Sequence, residues 1–209
     1  KIHSAALDVL ARIGLSDAPP SGVELLTAFG AELQPNGRIT FPRTLVEDVI
    51  AGAARRFVLH AQDPRHDLEP WGTKVHCGLA GAAVNIVDIE TRTYRDSTLR
   101  DLYDIARVCD RLENIHFFLR AIVCRDLTDN FEMDLNTCYA AVSGTSKHVG
   151  SSWSDPAHMG PTLDMLHLIA GGEDKWRARP FVHQANCFVV PPLKFATDAC
   201  RSLEVAVRA

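Results

Sequence analysis

Two strand-like stretches carry the residues best placed for chemistry. In FVHQANCFVV (181–190) the polar His183, Gln184 and Asn186 interrupt an apolar run. Alternation sets Phe181, His183, Ala185 and Cys187 on one side and Val182, Gln184, Asn186 and Phe188 on the other. Buried polar groups on such a strand need partners. Those partners are either a neighbouring layer of side chains or a ligand carboxylate or amine that Asn186 orients. Trp153 closes KHVGSSW (147–153) and is either a core lid or a wall of a binding site. Asn85, set among aliphatic residues, either reaches a ligand or caps a turn.

Other chemistries find less support. His76, Cys77, His148, His183 and Cys187 all lie in candidate strands and are zinc-ligand types. Only His76 and Cys77 are close in sequence, and neighbouring strand residues point to opposite faces. No GxSxG elbow is present, and Ser151, Ser152 and Ser154 lie beside His148 only in sequence. Asp126, Asp129, Glu132 and Asp134 surround a predicted helix start, where acidic residues complement the dipole at a solvated end. Gly78 and Gly81 have GxxG spacing, but a strand rather than a helix follows them, which disfavours a phosphate cradle. Their small size suits close backbone approach instead.

The elements that would position these residues change character near position 73. Over 1–72 the pattern predicts a small α+β cap. An amphipathic helix (KIHSAALDVLARIG) turns Ile2, Ala6, Val9, Leu10 and Ile13 inward and stops at Gly14. SGVE (21–24) has capping-box spacing before a short helix, and AELQ-PNG-RITF reads as a hairpin. A third helix from Pro42 turns Leu45, Val49 and Ile50 inward, and FVLHAQ reads as a short strand.

Over 73–209, strands alternate with helices. KVHCGL, AVNIVDI and ETRTYR precede LRDLYDIARVCDRL, for which Ser97 and Thr98 offer caps. IHFFLRAIV precedes FEMDLNTCYAAVSG, KHVGSSW precedes PTLDMLHLIAGG, and FVHQANCFVV precedes KFATDACRSLEVAVR. Such alternation implies a parallel sheet with crossover helices. No GxGxxG stands at the first strand–turn–helix, so a partial (β/α)8 TIM barrel fits better than a doubly wound sheet. The expected fold class is therefore α/β.

Composition bounds the rest. The 209 residues are 46% hydrophobic and 23% charged with net charge −4, as in an ordinary globular protein without a basic patch for nucleic acid. Apolar runs fall short of the roughly 20 residues a membrane span needs, and no signal peptide opens the chain, so a cytoplasmic protein is expected. The six cysteines show neither CxxC pairs nor disulfide spacing and read as reduced thiols. Lys1 and Ala209 both fall inside helical patterns, so a piece of a longer protein is expected.

The segments KIHSAALDVLARIGL, GLAGAAVNIVDIETRTYRDSTLRDLYDIARVCDRLENIHF, GTSKHVGSSW and VVPPL resemble, in order and along nearly the whole chain, the trimethylamine methyltransferase family. The resemblance implies a complete (β/α)8 barrel more than twice this length, of which this chain is the N-terminal portion. It also implies transfer of a methyl group from a tertiary or quaternary amine to the cobalt of cobalamin held by a separate corrinoid protein. No cofactor would then be bound tightly by this chain. Founding members carry pyrrolysine at the active site, whereas others use ordinary residues and take glycine betaine; that position would lie beyond Ala209.

The implied reaction makes its own demands. A methyl group leaves nitrogen only if nitrogen departs as a neutral amine, so the substrate is cationic, and aromatic faces hold cations by about 0.5–2 kcal/mol each. At barrel strand ends the candidate substrate-binding set is Asn85, Trp153, His183, Gln184, Asn186 and Phe188, with no catalytic residue assigned. A zinc-dependent barrel methyltransferase and a non-catalytic quaternary-amine binding module are the alternatives. Uncovered strand edges predict a homo-oligomer, or a chain that needs its missing half.

Overall fold

The computed structural model describes residues 1–209. In chain order the elements are α1 (Ile2–Arg12), α2 (Pro20–Ala28), β1 (Glu32–Leu33), β2 (Ile39–Thr40), α3 (Arg43–Gly52), β3 (Asn85–Val87), β4 (Tyr94–Asp96) and α4 (Leu99–Arg111). There follow β5 (Phe117–Leu119), α5 (Asn130–Gly144), β6 (His148–Ser151), α6 (Met159–Ala170), α7 (Glu173–Ala178), β7 (Val182–Gln184), β8 (Val189–Val190), β9 (Lys194–Phe195) and α8 (Thr197–Arg208). They fall into two compact units, one of residues 1–55 with 186–207, the other of 56–185 with 208–209. The division thus falls after Arg55 and again after Ala185, whereas the sequence pattern places it between 72 and 73.

The larger unit is built on a parallel sheet in the order β5–β6–β7, which is the order of the chain. Two parallel bridges, Gly78 to Phe117 and Ala83 to Ile122, lay the 78–83 stretch along the other side of β5. The expected strand KVHCGL contributes only the first of these bridges. The sheet is open and no closed barrel forms, since strands this few cannot complete a cylinder. β3 and β4 make a separate antiparallel hairpin, as the NIVDIETRTYR pattern predicts.

Helices α4, α5 and α6 pack in succession. Ser151 touches Cys138 of α5, so Val149 and Ser151 occupy the helix-covered face of β6, and His148 and Gly150 the opposite one. Phe118 and Val149, paired across β5 and β6, form the fully buried centre of the helix-covered layer. Burial drives the Cys138 thiol up to about 12 and Cys124 to about 11, so both stay protonated. Cys77 and Cys187, in contrast, are exposed.

Local chemistry explains where the helices begin. Thr98 caps α4: its backbone N–H and hydroxyl both donate to Asp101, whose own N–H donates back to Thr98 Oγ1. Asp129 caps α5 by accepting from the Glu132 N–H. Lys147 closes the far end of α4, its ammonium donating to the carbonyls of Cys109, Leu112 and Ile115 at 2.8, 2.8 and 2.5 Å. A cation at a helix C-terminus meets the negative end of the dipole.

In the smaller unit, β1 and β2 form the expected hairpin, with Gly37 at φ +78° and Asn36 Oδ1 accepting from the Arg38 N–H. Gly14, at φ +65°, is required where α1 ends, because a Cβ there would lie 2.0 Å from the Ile39 carbonyl oxygen. Arg38 ties this corner together through the carbonyls of Ile13, Gly14 and Leu193.

Several local expectations fail here. α2 starts at Pro20 without a side-chain cap, since proline presets the first-turn φ, and Ser21 instead donates to Glu204. Only Leu7 of α1 is buried, with Ile2 88% exposed. Val49 and Ile50 do not enter a filled core either. They line an apolar groove of about 580 Å³ with Leu25, Phe29 and Phe195, and Val49 is 62% exposed. FVLHAQ supplies a single bridge, Leu59 to Leu68, rather than a strand. FVHQANCFVV is split between β7, which is parallel, and β8, which pairs antiparallel with β9 across a turn with a cis Pro191–Pro192 bond.

Candidate functional site

The site begins with β6 and β7. Their register sets Gly150 opposite His183 and Ser151 opposite Gln184, so His148 and His183 share the face that the helices leave open. His148 Nε2 lies 2.8 Å from His183 Nδ1, with ring planes only 4° apart and centroids 5.0 Å apart. The two imidazoles therefore meet edge to edge. On its other side, His148 Nδ1 is 2.5 Å from the His60 carbonyl oxygen.

These contacts fix the protons. A carbonyl only accepts, so His148 Nδ1 carries hydrogen. Burial pushes His148 down to about 4 and lowers His183 as well, so both rings are neutral near pH 7. His148 Nε2 is then a bare acceptor, and the hydrogen between the rings belongs to His183 Nδ1. His183 Nε2 is left with a free lone pair. The cleft that holds this ring exists because residue 150 is glycine: a Cβ there would lie 2.7 Å from His183 Cε1 and 2.3 Å from Leu119 Cδ1.

The pair rests on a second ionic layer. His60 Nδ1 is 3.1 Å from Asp67 Oδ2, and the Arg179 guanidinium donates to both Asp67 oxygens at 2.8 and 2.9 Å. Although burial opposes it, hydrogen bonds from the Ala61 N–H, His60 and Arg179 hold Asp67 below the ordinary carboxylate range. This layer fixes the loop whose carbonyl grips His148.

The remaining sequence candidates are not brought to one place. Trp153 is buried and donates from Nε1 to Thr162 Oγ1 at 3.1 Å, which is the core-lid arrangement. Asn85 is exposed on β3, and its amide donates to the Arg95 carbonyl and to Asp96 across the hairpin. Gln184 shares the face of Ser151, and both of its amide atoms are buried without partners. Asn186 and Phe188 belong to the smaller unit, where the Phe188 carbonyl accepts from the Ala196 N–H.

Sequence reasoning missed a second cluster. Asp134, expected at a solvated helix end, is buried and accepts through Oδ2 from the Ser154 N–H, the Ser154 hydroxyl and His158 Nδ1 at 2.7, 2.7 and 2.8 Å. Both partners bond the carboxylate rather than each other, so the three residues fasten the turn after β6 and are not a nucleophile–base pair. The i+4 step from Asn130 into the apolar face of α5 was the available signal. His76 lies 5.4 Å edge-on from His116 beside a cavity of about 660 Å³. No three His, Cys, Asp or Glu side chains converge as a metal-ligand group.

The family described as Trimethylamine methyltransferase (MTTB) matches residues 1–209. The chain belongs to that family. Among its relatives, the trimethylamine methyltransferase MttB of Desulfitobacterium hafniense is 30% identical over 211 residues, covering 100% of this chain and 42% of the relative. MttB of Methanosarcina thermophila is 26% identical over 205 residues, covering 96% of this chain and 42% of the relative. MttB2 of Methanosarcina mazei is 27% identical over 205 residues, covering 96% and 41%.

As a trimethylamine methyltransferase family member, the chain thus spans about 42% of the length of the curated relatives it matches. No helix is long and apolar enough to cross a membrane. The GTSKHVGSSW segment that carries part of the resemblance is the one that builds the histidine pair, supplying both His148 and Gly150.

Proposed function

We propose that this chain is part of an enzyme that removes a methyl group from trimethylamine or a similar methylated amine and passes it to the cobalt of a corrinoid protein. The observation that carries the reading is the family match along all 209 residues, with relatives named trimethylamine methyltransferase. We further propose that the open sheet is an arc of a (β/α)8 barrel. Strand order that follows chain order, without the reversal of a doubly wound sheet, supports it.

The cobalt is a co-substrate in this reading, carried by the partner. The residues of this chain do not fit a resident metal, because three of the four ring nitrogens in the histidine pair are committed to protein hydrogen bonds. Their task is to hold the amine. A cationic substrate must be gripped without being neutralised, and the open sheet face meets that demand: its two imidazoles are uncharged near pH 7 and its β5 residues, Phe117 and Leu119, are apolar. Trp153 supports the fold around this face through its bond to Thr162.

The test uses the full-length protein that contains this chain, trimethylamine and a reduced corrinoid protein. Loss of the Co(I) absorbance on adding the amine is expected. No loss with any methylated amine would overturn the proposal.

A further inference from the structure

We infer that His183 Nε2 accepts a hydrogen bond from the substrate and thereby selects amines that carry an N–H over fully quaternary ones, with His148 as its positioning residue. The inference rests on the methylamine reading above and names the substrate class within it.

One line of hydrogen bonds runs through the pair. The His60 carbonyl accepts from His148 Nδ1 at 2.5 Å, and His148 Nε2 accepts from His183 Nδ1 at 2.8 Å. Each ring donates once along this line, so the line ends on a lone pair at His183 Nε2. That atom has no protein partner and keeps access to solvent. On the same sheet face, Leu119 shares with this ring the space above Gly150, and Phe117, opposite His148, fills the space above Gly78.

One acceptor in an apolar setting matches one class of cation. A protonated tertiary amine presents methyl groups and a single N–H. A quaternary amine presents only methyl groups and would leave the acceptor without a donor after removing its water, which is the costly outcome. When the N–CH₃ bond breaks, its electron pair stays on nitrogen and the product is a neutral secondary amine that keeps its N–H. The contact to His183 is therefore available before and after transfer, and no proton has to move.

Calorimetric titration of the full-length protein with trimethylammonium chloride and tetramethylammonium chloride tests this. Trimethylammonium should bind about tenfold more tightly or better, as expected for a hydrogen bond involving a charged group. His183→Phe should abolish the preference, whereas His183→Gln, which keeps an acceptor oxygen and a donor for His148, should retain most of it. In ¹⁵N-histidine spectra, His183 should carry its proton on Nδ1 in the wild type, and His148→Phe should release that lock and weaken the preference without abolishing tetramethylammonium binding. Equal affinity in the wild type, a preference that survives His183→Phe, or an Nε2-protonated His183 would each overturn the inference. The spectrum requires no variant to fold. If methyl transfer proceeds without this selectivity, only the inference fails; if no methylated amine binds or reacts, the functional reading fails with it.

Discussion

Gly150 and His183 sit opposite one another on β6 and β7, and a Cβ on the first would stand 2.7 Å from Cε1 of the second. The ring cannot retreat without breaking its 2.8 Å bond to His148. Gly150→Ala should therefore destabilise the protein by about 1–3 kcal/mol, the usual range for overpacking a filled interior. A lowered urea midpoint with unchanged m would record it, and an unchanged midpoint would show that the ring is not held there.

Lys147 is 3% exposed and its ammonium serves three carbonyls at the end of α4. Lys147→Met keeps the length and removes every donor. The expected cost is about 3 kcal/mol, because one buried and two half-buried carbonyls lose a charged partner. Thermal denaturation of the two proteins side by side is the measurement.

The acid response should carry the signature of His148. Its value falls from 6.5 to about 4 through burial, so the folded state holds it neutral while the unfolded chain takes up a proton below 6.5. The contribution is complete above pH 6.5, is lost as pH drops towards 4, and amounts to about 3 kcal/mol. His183, also lowered by burial, acts in the same direction, and the ionisable groups beside the pair are His60, Asp67 and Arg179. In His148→Gln, urea unfolding at several pH values should show a smaller loss between pH 6.5 and 4 than in the wild type. Equal losses would mean that this imidazole is not neutral and buried.

The 209-residue chain alone should self-associate. β7 is the terminal strand of its sheet, and an unpaired strand edge is a template for another chain. Exposed Phe29 and Val49 add an apolar surface on the smaller unit. Sedimentation velocity should give species above the 23.0 kDa monomer. A single sharp monomer at high concentration would contradict this.

The parts of the structure legible in the sequence are those set by local pattern. Thr98 caps the helix for which Ser97 and Thr98 offer caps, Asp129 lies at the expected acidic helix start, Asn36 and Gly37 form the expected turn, and strand–helix alternation gives the parallel sheet. What escaped depends on register between segments far apart in the chain. Nothing near His148 indicates that it faces His183 rather than the helices, or that its other nitrogen meets the His60 carbonyl. Asp134 looked like one more acid at a helix start, because the demand for it comes from Ser154 and His158, across the turn after β6. Trp153 followed the bland expectation for a tryptophan at a strand end.

The central claim is that this chain serves methyl transfer from a methylated amine, and product analysis tests it most directly. Full-length protein, deuterated trimethylamine and a reduced corrinoid protein should yield dimethylamine in step with labelled methyl on the corrinoid protein, read by mass spectrometry. Trimethylamine recovered intact, with a corrinoid protein shown to be methylatable by other means, would contradict the account.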